Sequence, residues 1–393
     1  MKILNCVHSL APSIGGPLES VRQSTLVLTR RGHIVEVVSL DPPMNPWADE
    51  FPGIVYAVGP GQGTYGYAPR FVPWLKTRRA HYDAVVVHGI WQYGSFGVWR
   101  ALHKTATPYF VFPHGMLDQW FNRTYPLKHL KKLLYWPWAE YRVLRDAAAV
   151  LFTTEQERLL ARESFRLYRC HEVVVNFGTA APEVDWHSAR EDFFNAFPPL
   201  RNKNFLLFLG RLHEKKGCEE LIRAFAAFRS ASPPEEGVQL VLAGPCADQN
   251  YLQRLKRLTS ELFPAGDALP VTFTGMLTGK PKWGAFTAAE AFILPSHQEN
   301  FGIAVVEALA CGIPVLISNQ VNIWREIVAD GCGYAESDDL AGTHRLLERW
   351  QATSPAERAQ MRARARACFA RRFEIDHAVD SFLHALENPP RAS

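Results

Sequence analysis

Two carboxylates, Glu299 and Glu307, stand eight positions apart in Ser296-His297-Gln298-Glu299-Asn300-Phe301-Gly302-Ile303-Ala304-Val305-Val306-Glu307. The apolar run Ala291-Phe292-Ile293-Leu294-Pro295 before them has the composition of a short buried strand entering a loop. From Gly302 the pattern predicts a helix, which Gly312 and Pro314 end in the usual order. Glu299 then lies in the loop at the helix N-terminus, and Glu307 more than a turn inside. Backbone N–H groups and the positive end of a dipole at such a start suit a phosphate. Two carboxylates beside it could hold hydroxyls of a phosphorylated sugar or a ribose. The plainer reading of Glu307, a lone carboxylate at the edge of a core helix, is weakened because charge is rarely buried without a partner.

A second cluster supports the phosphate reading. After the strand-like Phe205–Leu209 comes Gly210-Arg211-Leu212-His213-Glu214-Lys215-Lys216-Gly217. Gly210 allows a close turn, and Arg211 and Lys216 place a planar fork and a movable point charge where a diphosphate could meet both. An ordinary charged surface turn is the alternative. Near the N-terminus, Gly15-Gly16 follows the first strand and would let backbone approach a ligand. A literal Gly61-Gln62-Gly63-Thr64-Tyr65-Gly66 follows a third strand, not the first, and Pro69 and Pro73 interrupt what comes next. It is expected to be a flexible loop, not a dinucleotide site. In Pro113-His114-Gly115-Met116, His114 lies at a strand's carboxyl end, where catalytic groups of α/β domains gather. His88, at another strand end, takes only a structural reading. The chain contains no Asp-x-Asp, the pair that commonly holds a sugar nucleotide through a metal, so no metal ligands are expected.

The elements that must position these residues are strands alternating with helices. Strands are expected at Lys2–His8, Ile34–Ser39, Ala84–His88, Tyr109–Phe112, Ala149–Thr153 and Glu172–Val175, with a helix over Glu19–Arg31. The pattern restarts at Phe205–Gly210, Gln239–Ala243, Val271–Thr274, Ala291–Leu294 and Pro314–Ser318. Strands without polar alternation indicate parallel sheets covered on both faces. A Pro-rich, polar stretch from about Ala180 to Asn204 separates the series, so two doubly wound α/β domains facing a cleft are expected. A length of 393 residues suits two domains. Hydrophobic content of 47% with 21% charged residues is globular, and a net charge of +4 is too small to indicate nucleic acid. Seven cysteines without Cys-x-x-Cys spacing fit a reducing compartment and argue against a disulfide framework or structural zinc. The N-terminal residues do not resemble a signal peptide, and a cytoplasmic location is expected.

Two charged segments remain. The Arg-rich Ala356–Arg372 has the pattern of a solvated helix face. Lys128–Trp138 is basic and aromatic, and forms either an interfacial helix able to meet an anionic membrane surface or an ordinary helix packed on its own domain.

Together these residues resemble a family 4 glycosyltransferase, a retaining enzyme of the GT-B fold with two Rossmann-like domains. The resemblance spans essentially the whole chain. It rests on Glu299/Glu307, Gly210-Arg211 with Lys216-Gly217, Gly15-Gly16, Pro113-His114-Gly115 and Asn176-Phe177-Gly178. It implies an acceptor-side domain over 1–180, a nucleotide-sugar-binding domain over 181–374, and a last helix, about 375–393, returning to the first domain. It further implies that Arg211, Lys216 and the backbone near Asn300, Phe301, Gly302 and Ile303 bind a donor diphosphate. Glu307 would hold the nucleotide ribose, Glu299 the donor sugar hydroxyls, and Met276 would lie near the base. His114 would contact the sugar near the reacting centre, and Gly16 would line the diphosphate or acceptor side. Many members have Gly where this chain has Asn300, which leaves the donor more open.

The activity expected from the resemblance is hexosyltransferase-type. It is metal-independent transfer from a nucleotide-diphosphate sugar, the co-substrate in place of any cofactor, to a saccharide or lipid-linked acceptor in surface polysaccharide assembly. A GT-B-fold epimerase would need acid/base groups on both sides of the sugar carbon, where His114 is the one good candidate. A non-catalytic GT-B-like binding subunit would predict decay of the Arg/Lys/Glu set, which is intact.

Overall fold

Val, Ile, Leu and Phe fill the strand interiors without polar alternation, and the strands they form pair in parallel. The structure, a computed structural model, describes all residues except 121–123, 125, 232–236, 264–268 and 391–393, so the end of the expected 375–393 helix lies outside the described residues. The chain divides into two units, Met1–Ala180 with Ile375–Ser393, and Ala181–Glu374.

In the first unit the described strands are β1 (Lys2–Val7), β2 (Ile34–Ser39), β3 (Ile54–Ala57), β4 (Ala84–His88), β5 (Tyr109–Phe112), β6 (Ala149–Phe152) and β7 (Glu172–Val174). Their order is β3-β2-β1-β4-β5-β6-β7. One sheet face packs Leu4, Val38, Val85, Val87, Val111 and Phe152 under the helices Phe71–Arg78, Tyr93–Leu102 and Glu140–Arg145. The opposite face packs Ile3, Val86, Phe110 and Leu151 under Val27 and Leu28 of the helix Gly16–Arg30 and under the final helix, Ile375–Glu387. That final helix contributes Ile375, Val379, Phe382 and Leu386 to the core. Arg31 secures it through Asp376 at 2.6 Å and Asp380 at 2.5 Å.

The second unit holds β8 (Phe205–Leu209), β9 (Gln239–Ala243), β10 (Val271–Gly275), β11 (Ala291–Leu294), β12 (Val315–Ser318) and β13 (Gly333–Glu336), ordered β10-β9-β8-β11-β12-β13. Each sheet reverses its strand order beside its first strand, between β1 and β4 and between β8 and β11. In open α/β sheets such a reversal is where ligands bind, beyond the carboxyl ends of the strands. Each unit thus holds a Rossmann-like parallel sheet, as each domain of the GT-B fold does. Of the two edge strands, β3 is the third strand expected before Gly61, and β13 lies outside the expected set. Both are half-exposed, but β3 is the apolar run Ile54-Val55-Tyr56-Ala57, whereas β13 mixes Gly333 and Glu336 with Tyr334 and Ala335 and carries no continuous apolar run.

Two expectations are corrected. The helix Pro355–Arg372 is only in part a solvated face: Arg366 and Arg371 are exposed, but other arginines bind the unit beneath it. Arg362 donates to the Ala289 and Glu290 carbonyls, Arg364 to Gly331, and Arg372 to Asp330, while Arg358 lies 4.4 Å over Trp350. The Gly61–Gly66 segment is pinned, because Gln62 and Tyr67 form a bridge and Gly66 abuts the His8 ring. Among the described residues, no helix is long and apolar enough to cross a membrane.

Candidate active site

In the second unit, two loops at the β8/β11 reversal are locked together by backbone. After β8, a short turn over Glu214–Lys216 is capped by His213, whose Nδ1 accepts from the Lys215 amide at 3.1 Å. Gly217 leaves the turn at φ 66°, where a Cβ would overlap the Pro295 carbonyl oxygen. The absence of a side chain lets the β8 loop lie against the β11 loop. The His297 amide and the Ser296 hydroxyl then donate to the Lys215 carbonyl at 2.9 and 3.1 Å. Lys216 Nζ thereby meets Glu299 Oε2 in an ion pair.

Burial pushes the Glu299 carboxyl up, but Lys216, Lys215 and Arg211 outweigh it and hold the group below the usual carboxylate range. The Glu299 backbone is fixed from both sides, its amide donating to Gln320 at 3.0 Å and its carbonyl accepting from Asn322 at 3.1 Å. Asn322 Nδ2 also approaches Asn300 Oδ1 at 3.4 Å. Gly302 caps the helix Ile303–Ala310 at φ 80°, so the first amides of an apolar helix open beside Glu299. Phe301 is buried and meets Phe373 edge-on at 5.8 Å, which leaves its backbone rather than its ring for a ligand.

Glu307 lies in the second turn of that helix and is buried. Its Oε1 is bound by Lys282 Nζ at 2.6 Å, and Lys282 also lies 4.5 Å over the Trp283 ring. Met276, just past β10, is 58% exposed. Arg211 is exposed at the end of β8.

The first unit gathers a separate set. His114, at φ 50° just after β5, lies 3.1 Å by Nε2 from His88 Nδ1, and His88 Nε2 is 3.0 Å from Asn5 Oδ1. With the Asn5 oxygen accepting from His88 Nε2–H, His88 Nδ1 accepts from His114 Nε2–H, so His114 Nδ1 is an acceptor nitrogen. Phe112 stacks on both imidazoles, at 5.3 and 5.4 Å. Burial depresses His114 to about 4 and holds His88 well below its ordinary value, so both rings are neutral at pH 7. Glu157 Oε1 accepts from the Gly115 amide at 2.6 Å and anchors the turn. Gly16 opens the helix Gly16–Arg30, with Gly15 as its cap at φ 81°.

Residues 15–178 match the family model for the glycosyl transferase 4-like domain, and residues 189–367 match that for glycosyl transferases group 1. The chain belongs to the family 4-type glycosyltransferases. A D-inositol 3-phosphate glycosyltransferase of Mycolicibacterium paratuberculosis is 27% identical, the match covering 94% of this chain and 84% of that one. A protein of the same name from Gordonia bronchialis is 26% identical over 62% of this chain and 53% of its own length. Among solved structures, a sucrose-phosphate synthase from Thermosynechococcus elongatus superposes with a TM-score of 0.77 at 20% identity, covering 98% of each chain. Anabaena HepE, solved with UDP and glucose, gives a TM-score of 0.77 at 18% identity over 98% of this chain and 99% of its own. Both likenesses show the GT-B fold.

Within this glycosyltransferase the site is wider than its motifs. His297 Nδ1 meets Asp338 Oδ2 at 2.8 Å, and its Nε2 lies 3.7 Å from Glu220. Hydrogen bonds to Asp338 and Glu220 raise it to about 9 against the opposing effect of burial, so an imidazolium clamps the residue two before Glu299. Neither this clamp, Lys282, nor the tie from Asn5 through His88 to His114 carries a sequence signature. His88, which the sequence suggests is structural only, orients His114.

Proposed function

We propose that this glycosyltransferase moves a hexose from a nucleotide-diphosphate sugar to an acceptor hydroxyl, with retention of anomeric configuration and without a metal. The observation that carries the reading is the Lys216–Glu299 pair beside the Gly302-capped helix start, at the β8/β11 reversal. Arg211, Lys216 and the amides near Asn300, Phe301, Gly302 and Ile303 would bind the diphosphate and stabilise the charge that grows on it as the glycosidic bond breaks. Cations and a helix terminus can supply the stabilisation that a metal supplies elsewhere. Glu299 would hold the donor sugar's hydroxyls, Glu307 the ribose, and the base would lie near Met276. The second unit would thus be the nucleotide-sugar side and the first the acceptor side, with Gly16 and His114 among its contributions.

Retention follows if the acceptor attacks from the face the phosphate leaves, that phosphate taking the acceptor proton. The lysine pairing of both carboxylates supports this, since neither is placed as a separate general base. His114, neutral and oriented by His88, suits hydrogen bonding to a sugar hydroxyl.

The acceptor would be a saccharide or lipid-linked saccharide of surface polysaccharide assembly, met at the cytoplasmic face of an anionic membrane. Leu127, Leu130, Leu134 and Trp138 are exposed along and just past the helix Pro126–Tyr135, and Lys131 is exposed among them. Incubation with UDP-glucose first, then GDP- and ADP-sugars, with and without chelator and acceptor extracts, tests the reading. Transfer with the α-configuration retained and undiminished by chelator is expected. Turnover that requires an added divalent metal, or an inverted product, would refute it.

A further inference from the structure

We infer that Lys282 is a positioning residue that keeps Glu307 ionised so that the carboxylate can accept hydrogen bonds from the donor's ribose. The inference rests on the proposal that Glu307 holds that ribose. The Glu307 side chain is 5% exposed and the Lys282 side chain 21%, and the two are joined at 2.6 Å. Ribose hydroxyls are neutral donors, and they cannot replace the cation that offsets burial of a carboxylate. An ionised carboxylate has about four lone-pair sites, so the bond from Lys282 to Oε1 does not exhaust the group. Lysine and ribose can therefore share it, and Lys282 remains in place when the donor binds. The Trp283 face, 4.5 Å from Nζ, holds the ammonium in that position.

The groups around Glu307 sharpen the argument. Lys282 faces it from the helix Gly279–Ala288. At the C-cap of its helix, burial first and then Glu307 push the Cys311 thiol up to about 12, so it stays protonated through the neutral range. Arg366, from the helix Pro355–Arg372 packed alongside, lies against Gly312 beyond the helix's last turn. Removing the lysine cation leaves a buried carboxylate that desolvation drives toward its protonated form. A protonated Glu307 loses acceptor capacity toward ribose.

The test measures affinity for UDP, GDP and ADP by calorimetry from pH 5.5 to 9 in wild type, Lys282→Met, Lys282→Arg and Glu307→Gln. Ionisation of the nucleotide phosphate cancels in the ratio of variant to wild type. For the nucleotide that wild type binds, Lys282→Met should lose about tenfold or more at the acid end of this range and recover as pH rises and Glu307 re-ionises. Lys282→Arg should stay within about threefold of wild type throughout. At low pH, Lys282→Met should match Glu307→Gln, whose deficit is constant with pH. A Lys282→Met deficit that is absent or does not vary with pH, in protein with a wild-type circular dichroism spectrum, overturns the inference and leaves the donor reading standing. Failure of wild type to bind any of the three nucleotides overturns the donor reading as well.

Discussion

Lys216 and Glu299 reach each other from the ends of two adjacent parallel strands, and the contact exists because Gly217 has no side chain to keep their loops apart. The cation proposed to meet the donor phosphate and the carboxylate proposed to meet the donor sugar are thus placed by one backbone contact.

Lys216→Ala should therefore lower turnover by about 10²–10³, the range for loss of one preorganised charge-stabilising group. Arg211 and Lys215 still act on Glu299, so the melting temperature should fall by only a few degrees at most, about 1 kcal/mol. Steady-state kinetics beside a thermal melt would check this. Near-wild-type transfer by a folded variant would remove Lys216 from the phosphate site.

The His297 clamp predicts a stability change at alkaline pH. Its folded value, about 9, lies above that of a free imidazole, so its contribution is complete below about pH 6.5 and disappears as pH rises through 9. His297→Gln should cost about 1–2 kcal/mol at pH 6 and much less at pH 10. Urea titrations of both proteins at the two pH values provide the comparison. An equal deficit at both would mean that the imidazolium charge is irrelevant.

His88→Phe keeps the stack on Phe112 but removes the nitrogen that orients His114. We expect a loss of about 1–3 kcal/mol of stability from the unpaired Asn5 and His114 groups, and at least a tenfold fall in turnover. Wild-type turnover should show no acid limb from His114 between pH 5 and 7, because burial holds it neutral down to about 4. Stability, by contrast, should decline on acidification from about 6.5 to 4, where the unfolded chain binds the protons the native rings refuse. Unchanged turnover in His88→Phe would make the histidine pair purely structural.

If the exposed leucines of the helix Pro126–Tyr135 meet a membrane, the wild-type chain should co-sediment with anionic vesicles at low salt and be released as salt rises. Leu130→Asp with Leu134→Asp should abolish sedimentation and leave transfer to a soluble acceptor intact. Wild-type protein that stays in the supernatant would exclude the membrane from the proposal.

Both sheets were legible because their inner strands, such as Val85–Val87 and Phe205–Leu209, are continuous apolar runs. The edge strand Gly333–Glu336 was not, since a half-exposed strand need not exclude glycine or charge. The arginines of Pro355–Arg372 misled for a related reason. Helical periodicity shows which positions share a face, but it does not reveal carbonyls such as those of Ala289 and Gly331 waiting beneath it. Glu299, Glu307, Arg211 and Lys216 stood out because short spacings tie each to a strand end. Lys282, 25 positions before Glu307, and Asp338, 41 after His297, become partners only once the sheet order is known.

The final helix, Ile375–Glu387, completes the hydrophobic face formed by Ile3, Val86, Phe110 and Leu151, although all of Ala181–Glu374 lies between them in the chain. During synthesis the ribosome therefore releases the whole second unit before it delivers the piece that seals the first. The nascent first unit carries an open apolar face for the length of that interval, at about 5–20 residues per second roughly 10–40 s. Of these two units, the one begun first is thus the one that finishes folding last, and it is where a holding chaperone would be needed.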